Sequence, residues 1–191
     1  MIVKICGITN LEDALAAADG GATALGFNFY SGSPRYISPE RAAAIIERLP
    51  AGVWNVGVFV NEPGVLEIAR VAGLDVVQLH GDEPPSAIPT SIRAWKAFRV
   101  TESFELSAIA AYHTEAVLLD GPSPGTAQKF DWARAAGSEQ KIILAGGLDD
   151  SNVKRAIEAV RPWGVDACSK LEVSPGRKDH VKLSRFLKAA L

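Results

Sequence analysis

The residue type with the widest chemical range in this chain is the cysteine at position 6. Cys6 ends the short apolar run Ile2-Val3-Lys4-Ile5, Gly7 turns the chain straight after it, and Thr9 or Asn10 can cap a following helix. A thiol at the end of a strand, near solvent and near helix N-termini, is placed to react as a thiolate. The plainer reading is a buried packing residue, the usual lot of a free cysteine. Asp120 has a similar setting. It ends the run Val117-Leu118-Leu119 and opens Gly121-Pro122. A partly desolvated carboxyl there could deliver a proton, and the same residue could equally accept backbone N–H groups in an Asp-Gly-Pro turn. Together, a thiolate and a carboxylic acid from well-separated strands suit proton removal and proton delivery on two sides of a small substrate.

Four further features could hold such a substrate. Arg35, in Ser31-Gly32-Ser33-Pro34-Arg35-Tyr36, offers a fork that grips carboxylates, or is an exposed loop arginine with no partner. Gly146 and Gly147, in Ala145-Gly146-Gly147-Leu148, let bare backbone N–H groups approach an anion, or simply turn the chain. Ser169 follows another apolar run and could join the same anion site. His80, ending Val76-Val77-Gln78-Leu79, could meet ligand or be satisfied by neighbouring backbone. Asp166, inside a run, reads as structural and needs a buried partner. Cys168 and the tryptophans read as packing residues.

The elements that position these residues follow from the apolar pattern. Eight short runs, at 2–6, 24–27, 53–60, 76–79, 94–98, 116–119, 142–145 and 165–167, carry no polar face. That is the mark of parallel strands buried on both sides. Helical signals alternate with them at 11–18, 39–49, 64–72, 104–112, 152–160 and 181–191. Ser38 and Pro39 open the second of these as cap and first-turn proline. Pro84, Pro85 and Pro89 break the region after the fourth run, and 130–136 allows only a short helix. Eight strand–turn–helix units predict an α/β fold, a closed (β/α)8 barrel formed by residues 1–191 as a single domain. In such a barrel the residue after each strand belongs to one shared mouth, and the loops after strands seven and eight commonly bind phosphate.

Composition narrows the function. The 191 residues are 48% hydrophobic and 22% charged with a net charge of −2, which gives no basis for nucleic-acid or anionic-membrane binding. Two cysteines make no disulfide framework, and three histidines without CxxC or HxxxH spacing give little basis for a metal site. No basic-then-apolar leader opens the chain, and no run approaches the ~20 residues of a membrane span. A cytoplasmic protein is expected.

Several segments together resemble the phosphoribosylanthranilate isomerase family of tryptophan biosynthesis. They are Lys4-Ile5-Cys6-Gly7-Ile8-Thr9, Ser33-Pro34-Arg35, Gln78-Leu79-His80-Gly81, Phe130-Asp131-Trp132, Ala145-Gly146-Gly147-Leu148 and Ser174-Pro175-Gly176-Arg177-Lys178-Asp179. The resemblance runs the length of the chain. It implies a (β/α)8 barrel without cofactor, acting on a phosphorylated aminosugar as a monomer or homodimer. It implies Cys6 as general base, Asp120 as general acid and Arg35 as the anthranilate contact, with phosphate against the backbone near Gly147 and Ser169. The sequence departs from the family at 123–127, where Ser-Pro-Gly-Thr-Ala replaces the frequent Gly-Gly-Thr-Gly, and at Lys170, where glycine often follows the serine. Two other readings are a histidine-pathway type of aminoaldose isomerase and a non-catalytic sugar-phosphate-binding barrel. The first is disfavoured by Cys6, since that chemistry resembles a two-carboxylate site. The second is disfavoured by Cys6, Asp120 and Arg35 occurring together.

Overall fold

The computed structural model describes residues 1–121, 132–135 and 137–191. The departure at 123–127, and Phe130 and Asp131 of the family-like segments, lie outside the described residues.

Eight strands close in sequence order into a parallel barrel. They are β1 (Ile2–Cys6), β2 (Ala24–Asn28), β3 (Trp54–Phe59), β4 (Val76–Leu79), β5 (Arg93–Arg99), β6 (Ala116–Asp120), β7 (Ile142–Leu144) and β8 (Gly164–Ala167). Closure is through β1 and β8, with Lys4 opposite Asp166 and Ile5 opposite Ala167. Four helices connect or close these units along the outside: α1 (Leu11–Asp19), α2 (Pro39–Ile46), α3 (Val65–Ala72) and α4 (Val153–Val160). The hairpin β9 (Glu172–Ser174) and β10 (Arg177–Lys178) follows β8, and α5 (His180–Ala190) ends the fold.

Helix starts obey the local chemistry. Asn10 caps α1 by accepting from the Asp13 backbone N–H at 2.9 Å, and Ser38 caps α2 with Pro39 in the first turn. Three expected helices are replaced by 3-10 turns, at Pro85–Ala87, Leu106–Ala111 and Trp132–Ala135. The prolines account for the first. In the second only Ile109 is buried and no side chain caps the start, so little apolar contact is available to hold a full helix.

The period-two alternation of strands divides the core. Val3, Ile5, Leu25, Phe27, Val77, Val117 and Leu119 pack outward under the helices. Ala24, Val56, Val76, Trp95, Leu118 and Ile143 fill the barrel interior, and Trp54 and Trp163 pack against them. Trp54, Trp95 and Trp163 lie with ring centroids 5.9–6.2 Å apart and plug the barrel at the end where the strands begin. Side chains at Cys6 and Asp120 share the inward face but sit at the opposite, open end.

Candidate active site

At the C-terminal ends of the strands the interior is not filled. A cleft of about 370 Å³ opens there. Cys6, Arg35, His80, Asp120, Gly146, Gly147 and Ser169 all line it. So do Gln78, Arg99, Asp166, Cys168 and Lys170.

Cys6 lies in a dense electrostatic setting. Two residues earlier on the same strand face, the fully buried Lys4 donates from Nζ to Asp166 Oδ2 at 2.8 Å. Gly26 on the adjacent strand leaves the space that both side chains use. A Cβ there would fall 2.7 Å from Cys6 Sγ and 3.0 Å from Lys4 Cε. The neighbouring Cys168 thiol draws the Cys6 pKa well below the ordinary thiol range; burial opposes this, and the Lys4 and Lys178 ammoniums reinforce it. The interaction with Cys6, together with burial, pushes Cys168 up. The two shifts run in opposite directions, Cys6 down and Cys168 up. Burial works against the Lys4 ammonium, but Asp166 and Cys6 hold its pKa above the ordinary lysine value. Burial pushes Asp166 up to about 7, against the pull of Lys4.

A group with a depressed pKa is charged above that pKa and loses its charge as pH falls through it. Iodoacetamide at neutral pH is thus expected to alkylate Cys6 ahead of Cys168, with a rate that drops as pH is lowered. Lys4→Gln should move that titration to higher pH. Peptide mass mapping reads both, and alkylation of Cys168 first would reverse the assignment of the charge.

Asp120 combines the two readings that its sequence left open. Oδ1 accepts the Gly121 backbone N–H at 2.7 Å, as a turn aspartate would. Oδ2 lies 3.5 Å from His80 Nε2. Gln78 Nε2 stands 3.1 Å from His80 Nδ1; with the amide donating, the ring proton is on Nε2 and faces Asp120. The loop after β7 closes over the same carboxyl. Gly146 has φ +81°, and a Cβ on it would lie 2.5 Å from Gly121 N and 3.1 Å from Asp120 Oδ1. A side chain at 146 would clash with the Gly121 backbone and crowd the carboxyl. Gly147, also at positive φ, gives its carbonyl to Asn152 Nδ2 at 2.9 Å. Ser169 opens the 3-10 turn Ser169–Leu171 beside these glycines, and the exposed Lys170 stands on the same wall.

Arg35 has a partner that the sequence did not disclose. Its Nε donates to Glu172 Oε1 at 3.0 Å and its Nη2 to Glu172 Oε2 at 2.7 Å. The pair joins the loop after β2 to the hairpin after β8. The sequence also left Lys4 unassigned, although its place two residues before Cys6 on one strand face was a usable signal. Asp166 was expected to need a partner, and Lys4 is that partner. Cys168, read as packing, lines the cleft beside Cys6.

Known proteins similar to this chain share one description. A family described as N-(5'phosphoribosyl)anthranilate (PRA) isomerase matches residues 3–189. The N-(5'-phosphoribosyl)anthranilate isomerase of Solibacter usitatus is 54% identical over 196 residues, covering 100% of this chain and 97% of that protein. The crystal structure of phosphoribosyl anthranilate isomerase from Thermotoga maritima superposes with TM-score 0.93 at 42% identity, covering 100% of this chain and 98% of that one. A structure of such an isomerase in complex with reduced 1-(o-carboxyphenylamino)-1-deoxyribulose 5-phosphate superposes with TM-score 0.88 at 42% identity, with the same coverage of both chains.

Proposed function

The chain belongs to the N-(5'-phosphoribosyl)anthranilate isomerase family, and from that membership we infer which of its groups carry the reaction. It is an isomerase of tryptophan biosynthesis, catalysing the Amadori rearrangement of N-(5-phosphoribosyl)anthranilate to 1-(2-carboxyphenylamino)-1-deoxyribulose 5-phosphate. Its substrate is a phosphorylated small molecule.

The observation that carries the assignment of roles is that Cys6 and Asp120, from β1 and β6, line one cleft with Arg35 and the Gly146-Gly147 loop. Asp120 gives a proton to the ribose ring oxygen. The C1′–O bond breaks as the nitrogen lone pair moves in to form an iminium. That cation acidifies the hydrogen at C2′, and the Cys6 thiolate removes it, leaving an enolamine. Loss of the 2′-hydroxyl proton and protonation at C1′ then give the aminoketose, with no net change of oxidation state. The low Cys6 pKa keeps a base available at neutral pH without a strongly solvated anion. His80 orients the acid and borders the substrate. Gly146, Gly147 and Ser169 receive the phosphate, and Arg35 receives the anthranilate carboxylate. With both ends of the substrate held, positioning supplies part of the rate. We place the enzyme in the cytoplasm, as one domain over residues 1–191, active as a monomer or homodimer. Among the described residues no helix is long and apolar enough to cross a membrane.

The anthranilate contact has its own test. Arg35→Ala should raise KM and weaken binding of a carboxylate-bearing ligand by roughly tenfold or more, the scale of a charge-assisted hydrogen-bonded contact. A counterpart without the ring carboxyl should bind wild type and variant alike. Equal weakening of both ligands would assign Arg35 to supporting its loop.

A further inference from the structure

We propose that Glu172 is a positioning residue for substrate recognition, aiming the Arg35 guanidinium at the anthranilate carboxylate from a buried cluster shared with Lys178. The inference rests on the reading of Arg35 as the carboxylate contact.

A lone arginine on a surface loop is a poor reader of a carboxylate, because its long side chain samples many rotamers before it binds. Arg35 is not left in that state. Glu172 takes its Nε at 3.0 Å and its Nη2 at 2.7 Å, side-on, which fixes the plane of the fork. Nη1 is given no bond by any described residue. The guanidinium is also fixed relative to the proposed base. A Cβ on Gly7, the residue after Cys6, would fall 2.8 Å from Arg35 Cδ and 3.0 Å from Cys168 Sγ. The arginine stem therefore runs directly across the end of β1.

Pairing with Glu172 does not cancel the charge that a ligand would meet. Glu172 also accepts from Lys178 Nζ at 3.0 Å and from the Gly176 backbone N–H at 3.3 Å. Glu172 and Lys178 are both buried, and Lys178 is tied to α1 through its backbone N–H on Asp13 Oδ2 at 2.8 Å. Two cations share the Glu172 carboxylate, so Glu172 is not committed to Arg35 alone. The design thus gives Arg35 rigidity from Glu172 while Lys178 offsets the negative charge that the rigidity brings.

The test is a comparison of two ligands across a mutant cycle. The ligands are the reduced ketose product and its counterpart lacking the ring carboxyl. Their affinity ratio is the carboxylate preference. Glu172→Gln should lower that preference about tenfold. In an Arg35→Ala background, Glu172→Gln should lower it no further. Glu172→Asp, which keeps a charge near Lys178 but withdraws it from Arg35 by one methylene, asks the same question should Glu172→Gln not fold. Its preference should fall as well. Equal weakening of both ligands by the Glu172 variants, or an undiminished effect in the Arg35→Ala background, overturns the inference. If Arg35→Ala keeps its selective effect in that experiment, the assignment of Arg35 stands by itself. If Arg35→Ala also weakens both ligands equally, both statements fall.

Discussion

Cys6→Ser lowers kcat by ~10²–10⁴-fold, the usual contribution of a positioned general base and equivalent to about 3–5 kcal/mol of barrier. The variant keeps the shape of the side chain nearly unchanged, so the loss is chemical. A hydroxyl holds its proton far more tightly than a thiol, and the Lys4–Cys168 surroundings that draw the thiol pKa down cannot bring a serine to its alkoxide near neutral pH. Affinity for the reduced product should be kept, since Cys6 is assigned no anchoring role. Steady-state turnover, followed through the anthranilate fluorescence, together with ligand titration separates the two quantities. A Cys6→Ser enzyme with near wild-type kcat would remove Cys6 from the mechanism.

Asp120→Asn is expected to have an effect of similar size, ~10²–10⁴-fold on kcat. Asparagine preserves the bond that Asp120 Oδ1 accepts from Gly121 at 2.7 Å and fits the space that Gly146 leaves, so the turn and the fold should persist. What it lacks is a proton acidic enough to open the ribose ring. The loss should fall on kcat and kcat/KM together, as for a group that acts in the transition state. An Asp120→Asn enzyme that turned over at the wild-type rate would reassign Asp120 to its turn, the plainer role that its Asp-Gly-Pro setting allowed.

The features legible in the sequence are those fixed by local pattern. The eight parallel strands could be read because each is buried on both faces and so written as a short, mostly apolar run, with at most a single polar residue such as Lys4, Gln78, Lys96 or Asp166 inside it. The same reading placed Cys6 and Asp120 at one rim, because both end such runs. Strand limits moved by a residue or so: Asn28, expected just beyond the second strand, pairs within β2 opposite Val58. The connections were less legible. Segment 104–112 has helical spacing, but packing buries only Ile109 of the turn at Leu106–Ala111, and without that contact the backbone tightens into a 3-10 turn. The substitution of short turns for helices lets eight units fit in 191 residues. Least legible were the ion pairs. Arg35 and Glu172 are 137 positions apart, and Lys4 and Asp166 are 162 apart. Each is made by barrel closure or by the hairpin after β8, and no local periodicity encodes either.

The central claim, that the Cys6 thiolate is the base, is tested most directly by comparing two titrations of the same enzyme. The acid limb of kcat/KM reports the free enzyme's base. The ultraviolet absorbance of the thiolate, lost in Cys6→Ser, reports the ionisation of Cys6 itself. The account predicts that the two midpoints coincide below the ordinary thiol pKa of about 8.5, and that Lys4→Gln moves both upward together. An acid limb that stayed in place while the Cys6 absorbance titrated elsewhere would contradict it.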